Sequence, residues 1–301
     1  YERKNQSTQK ERKGCPMIYL KNFQLLSEKE EYHLLLDEKR RIFNTIYPFH
    51  LFALDQPLNF EFEPITIFYG DNGCGKSTLL NIIALKLQAE RKTTIDKGIY
   101  FKNYVSHCSY RLQNQDQLRE IKMITSEDIF DYLIDIQAIN SSVHRKKDEL
   151  CEEFLNYKYQ DSSNFIHDYE QLKNKVDANK KTMSAYVRDH LKTNNIISQS
   201  NGETALLFWE KEIQENAIYI LDEPENSLSA TNQLKLKKFI EDSVRFFNCQ
   251  FIISTHSPFL LHLNHAIIYD LNDFCKKEWS QLDSIQTYYQ FFKERKEEFE
   301  K

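Results

Sequence analysis

The chain has 301 residues, 41% of them hydrophobic, enough to bury a sizeable core and to exclude an intrinsically disordered protein. A formal net charge of −5 gives no global attraction to nucleic acid or an anionic membrane, so such a partner would need a local basic face. The six cysteines (Cys15, Cys74, Cys108, Cys151, Cys249 and Cys275) are scattered, with no CxxC pair and no histidine at metal-ligand spacing, the pattern of a reduced, cytoplasmic protein without structural zinc.

The opening "YERKNQSTQKERKGCP" is polar and charged, unlike a signal peptide, and residues 1–16 are expected to be a disordered extension. No apolar run reaches the length of a bilayer span, so no direct membrane insertion is expected. From Met17, "MIYLKNFQLL" alternates like a strand, and "FHLFALDQPLNFEFEPITIFYG" continues in that manner between Pro57 and Pro64. Residues 17–125 thus read as a β-rich N-terminal part. Within it "ITIFY" leads into "GDNGCGKST" and then "LLNIIALKL", whose apolar residues recur at helical spacing: strand, glycine loop, helix.

Residues 126–199 contain no glycine and are charged and helical in character, with Ser126, Glu127 and Asp128 forming a good helix start. Over residues 200–301 the α/β character returns. The runs "AIYIL" and "FIIS" read as buried parallel strands separated by the helical "ATNQLKLKKFIEDSVRFF". The expected fold class is α/β, a core interrupted by a helical lobe.

Four motifs carry chemistry. Gly70, Asn72, Gly73, Cys74, Gly75, Lys76, Ser77 and Thr78 form a GxxxxGKS loop whose backbone N–H groups can face phosphate, with Lys76 for the β/γ oxygens and the Ser77 hydroxyl for Mg²⁺. In "AIYILDEPEN" the apolar run is followed by Asp222, placed to hold Mg²⁺, and Glu223, placed to activate a water. His256 follows "FIIST", where an imidazole can bond the γ-phosphate or that water. Ser200, Gly202 and Glu203 precede a helical run, either as an ordinary N-cap or as a second anion site.

In this order the motifs resemble the Walker A, signature, Walker B and switch-histidine set of stand-alone bacterial ABC-type AAA family ATPases, akin to RecF and SMC heads. "DEPEN" at Asp222–Asn226, "STHSP" at Ser254–Pro258 and "LKNF" at Leu20–Phe23 carry that likeness. The resemblance implies an α/β P-loop NTPase of the ABC ATPase type with a mixed sheet core, using ATP and Mg²⁺. It also implies an ATP-dependent homodimer in which Ser200–Gly202 of one head closes over the γ-phosphate held by Lys76 of the other, with Ser227–Ala230 crossing the interface. The Ser-Asn-Gly-Glu signature departs from the transporter form, and no Q-loop glutamine is evident: "IKMITSED" puts Ser126 or Glu127 in its place.

Tyr47, Phe49 and Phe52 are candidates for stacking on adenine, or are core. Cys74 reads as a small filler in the loop, with redox gating the sharper alternative. In the lobe, Lys173, Lys175, Lys180, Lys181 and Lys192 with Tyr157 or Tyr186 could make a nucleic-acid face, but their acidic neighbours favour a solvated surface or a protein-docking site. The expected output is an ATP-hydrolysing switch acting on a protein effector or nucleic acid, as in DNA repair or anti-phage defence. Its alternatives are a nucleotide-binding subunit serving a separate membrane protein, and a non-hydrolysing scaffold, which the Asp222, Glu223 and His256 set disfavours.

Overall fold

Where the sequence carries unbroken apolar runs, the backbone forms strands covered on both faces. The computed structural model describes residues 16–37, 46–93, 98–159, 169–191 and 201–300. It divides into two compact units, one of Tyr1–Ile129 with Ala205–Lys301 and one of Phe130–Thr204. The proposed extension lies outside the described residues except for Pro16.

The first unit holds two sheets. In one, β1 (Leu20–Gln24) pairs antiparallel with both β2 (Asn59–Glu61) and β4 (Ser109–Leu112). The other has strand order β5-β6-β7-β3-β8-β9. Its β3 (Ile65–Tyr69), β5 (Glu120–Thr125), β6 (Ala217–Asp222), β7 (Gln250–Ser254) and β8 (Ala266–Asp270) run parallel, and β9 (Cys275–Lys276) is antiparallel at the edge. All five residues of β3 and of β7 are buried, as expected of strands sandwiched between layers. Helices α2 (Lys76–Lys86) and α3 (Gly98–His107) pack into the same core through Leu79, Leu80, Ile82 and Ile83 and through Phe101 and Tyr104. Helix α1 (Glu28–Asp37) follows β1, and α8 (Ala230–Phe246) joins β6 to β7.

One buried side chain ties the two sheets together. Gln250, at the start of β7, accepts N–H bonds from Tyr19 (2.9 Å) and Leu20 (2.7 Å) and donates to the carbonyls of Leu20 (2.9 Å) and Glu63 (3.1 Å). Gln250→Leu would strand these groups away from water, so it is expected to destabilise the fold by roughly 3 kcal/mol or more, read as a lower urea midpoint at unchanged slope.

The strand-like alternation across residues 49–58 is not a strand. Phe49 N–H bonds to Ile46 O and Leu51 N–H to Pro48 O, so the chain turns here, and Phe49 and Phe52 are loop side chains driven into the core. Strand pairing begins after it, at Asn59–Glu61 in β2 and Ile65–Tyr69 in β3.

Helix α4 (Ser126–Tyr159) starts where the sequence placed it, but its cap is one residue earlier. Asp128 Oδ2 accepts from the Thr125 amide (2.8 Å) and hydroxyl (2.9 Å), while Thr125 Oγ1 accepts from Asp128 N–H (3.4 Å), a reciprocal capping arrangement.

The second unit is helical, with α5 (Tyr169–Lys180) and α6 (Met183–His190) beside the later part of α4 and a small core of Leu150, Phe154, Ala178 and Tyr186. Several candidates for the nucleic-acid face, which their acidic neighbours already disfavoured, are taken up in packing or ion pairs. Tyr186 is fully buried and stacked on His190, Lys175 is buried, and Lys181 is paired with Asp177 (3.3 Å) and Asp189 (3.0 Å). Lys192 lies outside the described residues.

Candidate functional site

Parallel pairing brings distant motifs to one edge. In register, Phe68 lies opposite Ser254, Ser254 opposite Asp222 and Asp222 opposite Thr125, so the C-terminal ends of β3, β7, β6 and β5 converge. Ligands of open parallel sheets bind at such an edge.

The loop from Gly70 to Gly75 turns there by virtue of its glycines. Gly75 caps α2 at φ 102°, and a Cβ on it would stand 2.9 Å from Phe52 Cζ, so both backbone angle and space exclude a side chain. Gly73 has φ 87° with nothing within 4 Å of a Cβ, which leaves open room above the loop. Cys74 Sγ sits against Gly70 as packing, at 2.6 Å from where a Cβ would lie. Asn72 is exposed on the loop. The first N–H groups of α2 point into this cradle, an arrangement suited to anions.

Lys76 is buried, and its ammonium donates to the carbonyls of Gly70 (2.9 Å) and Asp71 (3.0 Å). Two neutral carbonyls satisfy the charge weakly, and a phosphate would attract it far more strongly. Ser77, next in α2, is exposed and bonds to Asp222. Thr78 is buried, and its hydroxyl bonds to Tyr47 OH. Tyr47 also stacks on Phe101, so of the three adenine candidates Phe49 and Phe52 are core and Tyr47 is partly so.

Asp222 ends β6. Burial pushes its carboxyl pKa up, and Glu223 adds to this, whereas hydrogen bonds from Ser254 and Ser77 and the Lys76 charge oppose it. Ser254 Oγ donates to Asp222 Oδ1. A desolvated carboxylate beside a serine hydroxyl is a hard-oxygen pair that gains from a divalent cation, so these residues fit Mg²⁺.

Glu223 occupies a left-handed backbone position (φ 49°), which its N–H bond to Ser254 O (3.0 Å) holds in place and which turns its side chain off the strand. Glu223 Oε2 accepts from Asn226 Nδ2 at 3.0 Å, and Oε1 lies 3.8 Å from His256 Nε2. Burial and the nearby Lys76 cation lower the His256 pKa below its ordinary 6.5, with Glu223 and Asp71 opposing them. The imidazole is therefore neutral at neutral pH.

Lys76, Ser77, Asp222, Glu223 and His256 thus lie around one edge. Gly202 and Glu203 lie in the first turn of α7 (Asn201–Glu212), where Glu203 is exposed; Ser200 lies outside the described residues. The strand-end residue opposite Asp222 is Thr125, not a glutamine, and Gln113 instead bonds to Ile18 O. Sequence reasoning missed Ser254, which bonds Asp222, as a site residue; its position in "STHSP" was the available signal.

Comparison with solved structures finds an SMC head bound to the C-terminal winged-helix domain of ScpA (14% identity, 86% of this chain and 97% of that one, TM-score 0.41). An SMC head with an extended coiled coil, bound to the C-terminal domain of ScpA from Pyrococcus furiosus, is similar at 12% identity (86% and 95%, TM-score 0.40). A dimeric ATP-binding cassette in a post-hydrolysis state with ADP and phosphate shares 15% (75% and 90%, TM-score 0.35). Comparison with curated proteins gives no match. The AAA ATPase domain model matches residues 203–261, across α7, the Asp222–Glu223 pair and His256. The ABC transporter model matches residues 56–226, more than half of the chain, and the chain belongs to that family, as a P-loop ATPase of the ABC type that hydrolyses ATP.

Proposed function

We propose that this ATPase is a cytoplasmic switch that dimerises head to tail around two ATP–Mg²⁺ and drives a protein effector or a nucleic-acid transaction. The observation that carries it is the Glu223–His256 pair standing beside Lys76 and Asp222 on one sheet edge. The unpaired state of Cys74, Cys108, Cys151, Cys249 and Cys275 supports a reducing compartment. The lobe over 126–199 is proposed as an insertion between the 17–125 and 200–301 parts of the ATPase core.

In this reading Lys76, the loop amides of Gly70, Asn72, Gly73, Cys74 and Gly75, and Thr78 hold the phosphates. Ser77 and Asp222 would hold Mg²⁺, which would supply positive charge against the negative charge of the phosphates. Glu223 takes the proton of the attacking water, and His256 donates from Nε2 toward the γ-phosphate. Ser200, Gly202 and Glu203 of the second head close the site. The deciding experiment is the mass of Glu223→Gln protein with and without ATP.

The His256 geometry also sets a pH dependence. Protonated, the ring would form an ion pair with Glu223 across 3.8 Å and weaken it as a base. Turnover should therefore hold from pH 7.5 down to 6.5 and fall only below that, because the folded pKa lies under 6.5. The same depression makes the unfolded chain the better proton acceptor, so the stability linked to His256 is also lost below pH 6.5. Steady-state phosphate release against pH checks this, with the acid limb absent or displaced in His256→Asn.

The family match favours a second reading, a nucleotide-binding subunit working with a separate membrane protein. Among the described residues no helix is long and apolar enough to cross a membrane. Co-purification with an integral membrane protein from detergent extracts would select it.

A further inference from the structure

Of the four residues Asp222–Glu225, Glu225 is the carboxylate with no part in the chemistry above, yet it is the most tightly engaged. Only 9% exposed, it uses a single oxygen, Oε1, to accept the N–H groups of His256 (2.7 Å) and Ser257 (3.1 Å). A second tie runs in parallel: Ser257 Oγ donates to Gln233 Oε1 (2.7 Å), and Gln233 Nε2 donates to Leu228 O (2.9 Å). Leu228 N–H returns to Glu225 O (3.0 Å), closing a ring between residues 225–233 and 255–257. Outside that ring stand the exposed Asn226, Ser227 and Ser229, with Ser227 in a left-handed conformation (φ 70°). Asn226 in turn donates to Glu223.

We propose that Glu225 is a positioning residue: by holding two consecutive amides it fixes the His256 imidazole at its distance from Glu223. The proposal rests on the roles given above to Glu223 and His256. Backbone amides bound to a buried acceptor cannot shift without losing both bonds, so the loop carrying His256 moves with the segment carrying Glu225 or not at all.

The role is one of reach, not of charge, and two substitutions separate these. Glu225→Gln keeps an oxygen with two lone pairs at the same reach and removes the charge. Glu225→Asp keeps the charge and withdraws the oxygen by one carbon–carbon bond, about 1.5 Å, beyond hydrogen-bond distance of the amides. Steady-state kinetics should show Glu225→Gln near wild type. Glu225→Asp should lose about 10- to 100-fold in kcat with KM for ATP within about twofold, the size seen when an orienting partner is lost. Hydrogen exchange at the His256 amide should speed up in the Asp variant alone, whereas the Ser257 N–H keeps its bond to Thr255 Oγ1 (3.0 Å).

Gln233→Ala, which frees Ser257 from the same ring and touches no charge, is the second variant. It should lower kcat about tenfold at unchanged KM. An active Asp variant beside an impaired Gln variant, equal impairment of both, or wild-type kcat in Glu225→Asp and Gln233→Ala overturns the proposal. Failure of the underlying reading shows elsewhere, as undiminished turnover in Glu223→Gln.

Discussion

Glu223→Gln protein is expected to bind ATP about as tightly as the wild type and to hydrolyse it about 10²- to 10⁴-fold more slowly, the range for removal of a general base. The substitution is nearly isosteric, and its surroundings are set by the backbone. Glu223 N–H bonds to Ser254 O, the φ of 49° persists, and a glutamine Oε1 can still accept from Asn226 Nδ2. What disappears is the basic oxygen facing His256. Phosphate release under saturating ATP measures the loss, and calorimetric titration measures the affinity. A turnover within a fewfold of wild type would remove Glu223 from the chemistry.

Lys76→Ala should act at the earlier step, raising the Kd for ATP at least about 100-fold, comparable to losing a preorganised donor to developing charge. Among the described residues the Lys76 ammonium bonds to Gly70 O and Asp71 O, both within its own loop, so its removal should leave the melting temperature within a few degrees. The ATP-dependent rise in melting temperature, which follows from ligand binding to the folded state alone, should vanish. The pair of variants therefore separates binding from chemistry: one binds without turning over, the other does neither. A Lys76→Ala protein that still gains stability with ATP would show that the loop amides suffice for binding.

The parts of this site legible in the sequence are those written contiguously. The glycine loop between an apolar strand and an apolar helix announces itself, as does Asp222-Glu223 at the end of "AIYIL", because strand, turn and functional group lie within one short stretch. That "AIYIL" and "FIIS" are buried strands could be anticipated because parallel strands covered on both faces must be apolar throughout, although their order in the sheet could not. What stayed hidden is pairing across distance. Nothing in periodicity indicates that Gln250 reaches residues more than two hundred positions away, that Ser254 Oγ bonds Asp222, or that Glu225 holds the amides of His256 and Ser257. Each depends on which strands become neighbours, not on local pattern.

The errors have the same origin. Residues 49–58 read like a strand because their apolar side chains are interspersed with polar ones, but Phe49 and Phe52, three positions apart, are inserted into the core from a turning loop. Tyr186 looked like a surface aromatic among charges, yet the small helical unit needs it, since Leu150, Phe154 and Ala178 offer little else to pack around. The Thr125 cap was hidden for a different reason: both Thr125 and Ser126 are good capping residues, and only the Asp128 bonds decide between them.

The measurement that bears most directly on the central claim is the mass of Glu223→Gln protein by light scattering, with and without ATP and Mg²⁺. The head-to-tail switch predicts a monomer without nucleotide and a doubled mass with it, because slowed hydrolysis holds the two sites closed. A Glu223→Gln protein that binds ATP and remains monomeric would contradict it.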